Sequence, residues 1–128
     1  MKLLLDTHVI IWSVSEPKRL SKKAQCYIAD AETIYVSAAS IWEISIKLQL
    51  NKLQLDLNAF LNEIDNLGIQ ALPVTWKHAQ LTKDLPLHHK DPFDRILIAQ
   101  ATIEPLTLLT NDAVLPQYSD LVRHLDSV

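Results

Sequence analysis

The chain has 128 residues, 48% of them hydrophobic and 21% charged, which is material for one domain around one core and too little for two. Its formal charge of −3, from 15 acids against 12 lysines and arginines, argues mildly against a nucleic-acid surface, and its one glycine, Gly68, excludes the P-loop and the GxGxxG dinucleotide loop, which need glycines where backbone meets phosphate. A single cysteine, Cys26, excludes an internal disulfide and makes the cytoplasm the expected compartment.

The opening MKLLLDTHVIIW starts like a signal peptide, but Asp6 interrupts the apolar run and no small-residue cleavage site follows. No run reaches the ~18 apolar residues of a membrane span, so no membrane association is expected. KLLLD (2–6) reads as a short buried strand ending in an acid, and THVIIWSV as a helical turn broken near Pro17. LSKKAQCYIADA (20–31) carries Leu20, Ala24, Ile28 and Ala31 at helical spacing, with Ser21 as its cap and Cys26 read as a small core residue. TIYVS (33–37) is β-branched and aromatic, a second strand. ASIWEISIKLQL (39–50) is a helix of nearly continuous apolarity.

DLNAFLNEIDNLG (56–68) is amphipathic, with Phe60, Leu61, Ile64 and Leu67 as the expected inner stripe and Gly68 as its stop. IQALPV (69–74) is a third strand, TWKHAQLTKDL (75–85) a helix, PLHHKD a loop and PFDRILIAQATI (92–103) the next helix. LTLLT (106–110) is a fourth buried strand, NDAVLPQ a turn, and DLVRHL a candidate last edge strand. Short apolar strands alternating with helices imply a mostly parallel sheet of four to five strands in an α/β/α three-layer sandwich. In such sheets the ligand site lies beyond the carboxyl ends of the strands.

That rule gives four acids a common address. Asp6 closes the first strand, Glu43 follows the second by one to two helical turns, Asp94 opens the helix before the fourth, and Asp112 lies just past it. Each has an ordinary reading. Asp6 and Asp112 can be turn or cap residues. Asp91, followed by Pro92, is accounted for as an N-cap with proline at the first helical position. Asp94 is not, because Leu97, Ile98 and Ala101 follow it at i+3, i+4 and i+7 and place it on the inward stripe. Glu43 is the sole acid between Glu32 and Asp56, among Ile41, Trp42, Ile44 and Ile46. An exposed i,i+4 pair with Lys47 is worth only a few tenths of a kcal/mol, too little to hold a buried carboxylate.

Unit charges ~4 Å apart near a surface repel by about 4 kcal/mol. Four converging carboxylates therefore either take up protons or hold a cation. Oxygen-only ligands select Mg²⁺ or Mn²⁺ over zinc, and such a site activates water and holds a phosphate in line. With four acids gathered on a cation, 11 would remain against 12 bases, leaving a near-neutral surface with room for a basic rim.

At DTHVIIW (6–12), SAASIWEISIK (37–47), HHKDPFDRILIAQA (88–101) and LLTND (108–112) the chain resembles the PIN domain, and within it the VapC-type ribonuclease toxins of bacterial toxin–antitoxin pairs. The resemblance implies a parallel-sheet α/β/α fold and Mg²⁺- or Mn²⁺-dependent cleavage of RNA. The family's acidic quartet falls on Asp6, Glu43, Asp94 and Asp112, with Asp91 as an accessory acid and Thr7 and Thr110 as supporting hydroxyls. It also implies a homodimer and a cognate antitoxin that blocks the cleft. His8 stands where many members carry a small polar residue. Arg95, Lys47 and Lys90 are candidate RNA contacts, and unpaired bases could stack on Trp12 or Trp76, residues that read more readily as core or dimer contacts. His88 and His89 read as solvated loop residues within reach of phosphate. Two other classes remain open. A haloacid-dehalogenase-type phosphatase would want a second acid two residues after Asp6, where DTH offers none. A non-catalytic binding module would not need the quartet.

Overall fold

Leu3, Leu4 and Leu5 are completely buried, although neighbours in a strand point to opposite faces. Both faces of their sheet are therefore covered, which is why the strand reads as an unbroken apolar run. The computed structural model describes residues 1–128 and builds one five-stranded sheet. Strands β1 (Lys2–Leu5), β2 (Thr33–Ser37), β3 (Gln70–Leu72), β4 (Thr107–Thr110) and β5 (Val122–His124) lie in the order β3-β2-β1-β4-β5, and every pairing is parallel.

Helices α1 (Thr7–Ser15), α2 (Lys22–Ala29), α3 (Ala38–Gln49) and α4 (Leu57–Asn66) supply Val9, Ile10, Ala24, Ile44, Phe60 and Ile64 to the core that holds Leu3 and Leu5. Helix α6 (Pro92–Ile103) brings Leu97, Ile98 and Ala101 to the opposite core, with Leu4 and Leu108. Helix α5 (Trp76–Leu81) packs on α6 through His78, buried, whose Nε2 meets Glu104 at 2.7 Å. The chain winds from β1 through β2 to β3 on one side, then crosses to β4 and β5 on the other. The direction reverses at β1, so the crevice opens beside that strand's carboxyl end.

Three expectations fail at the level of single side chains. Cys26 is exposed, because Ala24 and Ile28 form the inner stripe of α2 and a residue two past Ala24 lies on the far side of the helix. In α4 the stripe runs Leu57, Phe60, Ile64, leaving Leu61 and Leu67 exposed. Trp76, at the first position of α5, is 92% exposed and is no core residue. The helix expected over 75–85 also divides: α5 ends at Leu81 and Thr82–Asp84 forms a 3-10 turn. Gly68 does stop α4. It has φ +74°, and the amides of Ile69 and Gly68 reach back to the carbonyls of Ile64 and Asp65, a Schellman closure that favours glycine.

Candidate active site

Register sets the first two acids. Leu5 pairs with Val36 on one side and Leu109 on the other, so Asp6, Ser37 and Thr110 come level at the carboxyl edge of the sheet. Asp6 is 3% exposed and caps α1, its Oδ1 accepting from the Val9 amide at 2.9 Å. Its Oδ2 accepts from the Thr110 hydroxyl and from the Asn111 amide. The Thr110 oxygen in turn accepts from the Asp112 amide at 3.0 Å, so one hydroxyl joins the first strand's acid to the turn that carries the last.

Glu43 lies on the buried side of α3 and is 8% exposed. Its Oε1 accepts from the Thr7 hydroxyl at 2.6 Å, across 36 positions of sequence. Ser40 Oγ stands 3.1 Å from the same Thr7 oxygen. With Thr7's single proton on the carboxylate, Ser40 is the donor in that second contact. Glu43 Oε2 also pairs with Lys47 at 3.1 Å. The helical ion pair and the buried position thus hold together, and Lys47 faces the acid as well as the cleft.

Asp91 caps α6, its Oδ1 accepting from the amides of Phe93 at 2.8 Å and Asp94 at 3.4 Å. Asp94 sits half-buried in the first turn. Asp112 Oδ1 accepts from the Val114 amide at 2.9 Å. These side chains share one cleft of about 250 Å³, lined by Asp6, Thr7, His8, Glu43, Lys47, Asp91, Asp94, Asn111 and Asp112, with no hydrophobic residue among them.

The electrostatics follow from that lining. Burial raises the pKa of Asp6 despite its three hydrogen-bond donors. Burial, then the charges of Asp91 and Asp6, push Asp94 up to about 7, with Glu43 adding to the rise and His89 opposing it. Without a cation the cleft keeps a proton near neutral pH. Five carboxylates line this half-buried, polar pocket and offer the oxygen donors that a hard divalent ion takes, while the ligand atoms within 4.8 Å of one another are those of His89, Asp94 and Asp112.

Two residues take positions other than those expected. Arg95 directs its guanidinium to the carbonyls of Thr82, Leu85, Pro86 and His89 and to the Tyr118 hydroxyl, so it fastens the loop before α6 instead of reaching outward to RNA. His89 is not a solvated loop residue. Its Nε2 lies 2.9 Å from Asp112 Oδ2 and 3.4 Å from Asp94 Oδ2. Lys90 and His88 are exposed on that loop, and His8 is exposed beside Trp12. Ser40 and Asn111, which the sequence did not single out, also serve the acids.

The class the fold and site define is that of doubly wound parallel α/β sheets with the ligand site at the switch point, here an all-polar acidic cleft. Within that class the chain belongs to the PIN domain family, whose sequence model matches residues 3–121. It is 31% identical over 113 residues to "Ribonuclease VapC22" of Mycobacterium tuberculosis, the match covering 86% of each chain. Its fold is similar to that of VapBC2 from Rickettsia felis bound to a promoter DNA fragment, with a TM-score of 0.71 at 14% identity over 97% of this chain and 98% of that one. It is also similar to FitAcB from Neisseria gonorrhoeae, with a TM-score of 0.67 at 20% identity over 98% and 99%. No helix is long and apolar enough to cross a membrane.

Proposed function

We propose that the chain is one PIN domain acting as a divalent-metal-dependent endoribonuclease on single-stranded RNA, the toxin of a cytoplasmic toxin–antitoxin pair. The observation that carries this reading is the convergence of acids from four separate elements in one cleft with no hydrophobic residue in its lining.

Asp6, Glu43, Asp94 and Asp112 would hold Mg²⁺ or Mn²⁺, with Asp91 at the margin. A bound ion of this kind supplies Lewis acidity, activating water for attack at phosphorus and offsetting charge on the leaving oxygen. Thr7 and Thr110 orient Glu43 and Asp6 by hydrogen bonds. Lys47, beside the cleft, and the exposed Lys90 meet the phosphates, where they offset the repulsion between RNA and the acids. Single strands are favoured because an extended backbone can enter a narrow cleft that a duplex cannot.

The partner would be an antitoxin that covers the acids, as the similarity to a relative named as a ribonuclease and to a toxin–antitoxin complex from Klebsiella pneumoniae supports. A homodimer is supported by an apolar face beside the cleft, where the 64% exposed Trp42 packs edge-on against Phe93 next to Val74 and Ile96.

The test is incubation of the purified chain with labelled RNA in Mg²⁺, Mn²⁺ or EDTA, beside Asp6→Asn. Cleavage should need the ion and fall to background in the variant. Equal cleavage in EDTA, or by Asp6→Asn, discards the mechanism. Release of phosphate from small monoesters with RNA left intact would favour a phosphatase.

A further inference from the structure

We propose that His89 is a positioning residue for the acidic cleft: a fixed Nε2–H donor to Asp112, with Asp94 alongside, and not itself a ligand of the cation. The inference rests on the divalent-ion reading above. His89 Nε2 and carboxylate oxygens of Asp94 and Asp112 all lie within 4.8 Å of one another, a spacing that metal ligands also show. Distance alone leaves two roles open for the ring, donor or ligand.

The other ring nitrogen decides between them. His89 Nδ1 lies 3.0 Å from the backbone nitrogen of Asp91, whose N–H points at it. A backbone amide can only donate, so Nδ1 must present its lone pair and the ring proton resides on Nε2. A protonated Nε2 has no lone pair for a cation, but it can donate to Asp112 Oδ2 at 2.9 Å. The same device operates elsewhere in the chain. The Thr75 amide donates to His78 Nδ1 and the Asp126 amide to His124 Nδ1, and in each ring Nε2 faces an oxygen.

The ring cannot easily turn over to exchange its nitrogens. The His89 amide donates to the Tyr118 hydroxyl at 2.9 Å, and its carbonyl accepts from Arg95. Arg95 holds three further carbonyls of the same loop. Residue 89 is thus fixed through its backbone on both sides, and its side chain at both nitrogens.

What the donor does follows from Asp112. Its side chain is 33% exposed, against 10% for Glu43, and its tether to the sheet is a short turn. The Val114 amide fixes Oδ1, and His89 fixes Oδ2. Each oxygen keeps a second lone pair for a cation. Donors of this kind, one shell removed from a metal, typically alter affinity or activity by about 10–100-fold when removed.

The experiment compares wild type, His89→Phe and His89→Gln. Phenylalanine keeps the ring's bulk without a donor, and glutamine can place an N–H near the Nε2 position. Mn²⁺ binding is followed by the loss of the free-ion electron paramagnetic resonance signal, and RNA cleavage is measured across Mn²⁺ concentrations. Affinity in His89→Phe should fall about 10–100-fold, with cleavage recovering at saturating Mn²⁺, while His89→Gln regains most of the affinity. In wild type, the imidazole nitrogen spectrum should show the Nε2-protonated form before and after Mg²⁺ addition, a readout independent of how the variants fold. Unchanged Mn²⁺ affinity in His89→Phe, or loss of the Nε2 proton on adding Mg²⁺, overturns the inference alone. A wild-type chain that binds no Mn²⁺ overturns the cation reading on which it rests.

Discussion

Replacing Asp94 by asparagine should make the metal-free protein more stable while disabling its site. Asp94 is pushed from 3.8 to about 7 by burial and by Asp91 and Asp6, with Glu43 adding. The folded chain therefore keeps a proton that the unfolded chain has already released across this window. Its stability falls as pH rises from about 4 to about 7 and levels off above that. At about 1.4 kcal/mol per pH unit, the ceiling on the loss is about 4 kcal/mol. The side chain is 23% exposed, and solvent screening brings the expected effect to roughly 2–3 kcal/mol. Asparagine keeps the shape and never ionises. In EDTA at pH 8, urea unfolding should show Asp94→Asn more stable than wild type by that amount, with a shallower pH slope. Some slope should remain, because burial also raises Asp6. Excess Mg²⁺ should then raise the wild type, by about 2.7 kcal/mol at a hundredfold excess over Kd, and leave the variant nearly unmoved. If Asp94→Asn in EDTA at pH 8 is no more stable than wild type, burial and the neighbouring acids do not disfavour the Asp94 carboxylate as argued.

Thr110→Val removes both the donor to buried Asp6 and the acceptor for the Asp112 amide. It should cost about 1–3 kcal/mol in urea unfolding, with Thr110→Ser close to wild type. Arg95→Lys should loosen the loop before α6, since an ammonium cannot reach four carbonyls and a hydroxyl at once. Hydrogen exchange should speed up at the His89 amide while the amides of β1 and β4 keep their protection.

The fold was legible because both of its periodicities are strong. KLLL, TIYVS and LTLLT can be buried on two faces only in a parallel sheet under helices, and DPFDRILIAQATI announces its own cap, proline and stripe. The acids followed from topology, since the strand ends say where Asp6 and Asp112 must lie. Side chains one helical step off a stripe were not legible. Leu61 and Leu67 are apolar, yet Leu57 covers that part of the core in their place. His89 was hidden for a different reason. Its role depends on the Asp91 amide fixing the ring and on Tyr118, 29 residues away, fixing the backbone, and neither contact leaves a spacing signal. Arg95 misled because an arginine next to a candidate ligand reads as a phosphate contact, whereas its partners are loop carbonyls.

The pattern of donors around the acids shows how a site of this kind can exist before its ion arrives. Neutral groups do most of the holding: amides of Val9 and Asn111 with the Thr110 hydroxyl at Asp6, the Thr7 hydroxyl at Glu43, the Phe93 amide at Asp91 and the Val114 amide at Asp112. A dipole aims a carboxylate without cancelling its charge, so the attraction for a cation survives. A lysine or arginine in the same place would supply the geometry and remove the affinity. Lys47 is the single lysine or arginine lining the cleft, and it sits at the rim with 33% of its side chain exposed. Arg95, immediately after Asp94 in the chain, is drawn away by loop carbonyls. Asp94 itself has the weakest support, a single contact at 3.4 Å, and it is the acid held protonated to about 7. The proton held there is what a divalent ion would displace. The apolar stack of Leu3, Leu4 and Leu5, contributing on the order of 2 kcal/mol per side chain, keeps the sheet edge in place until it does.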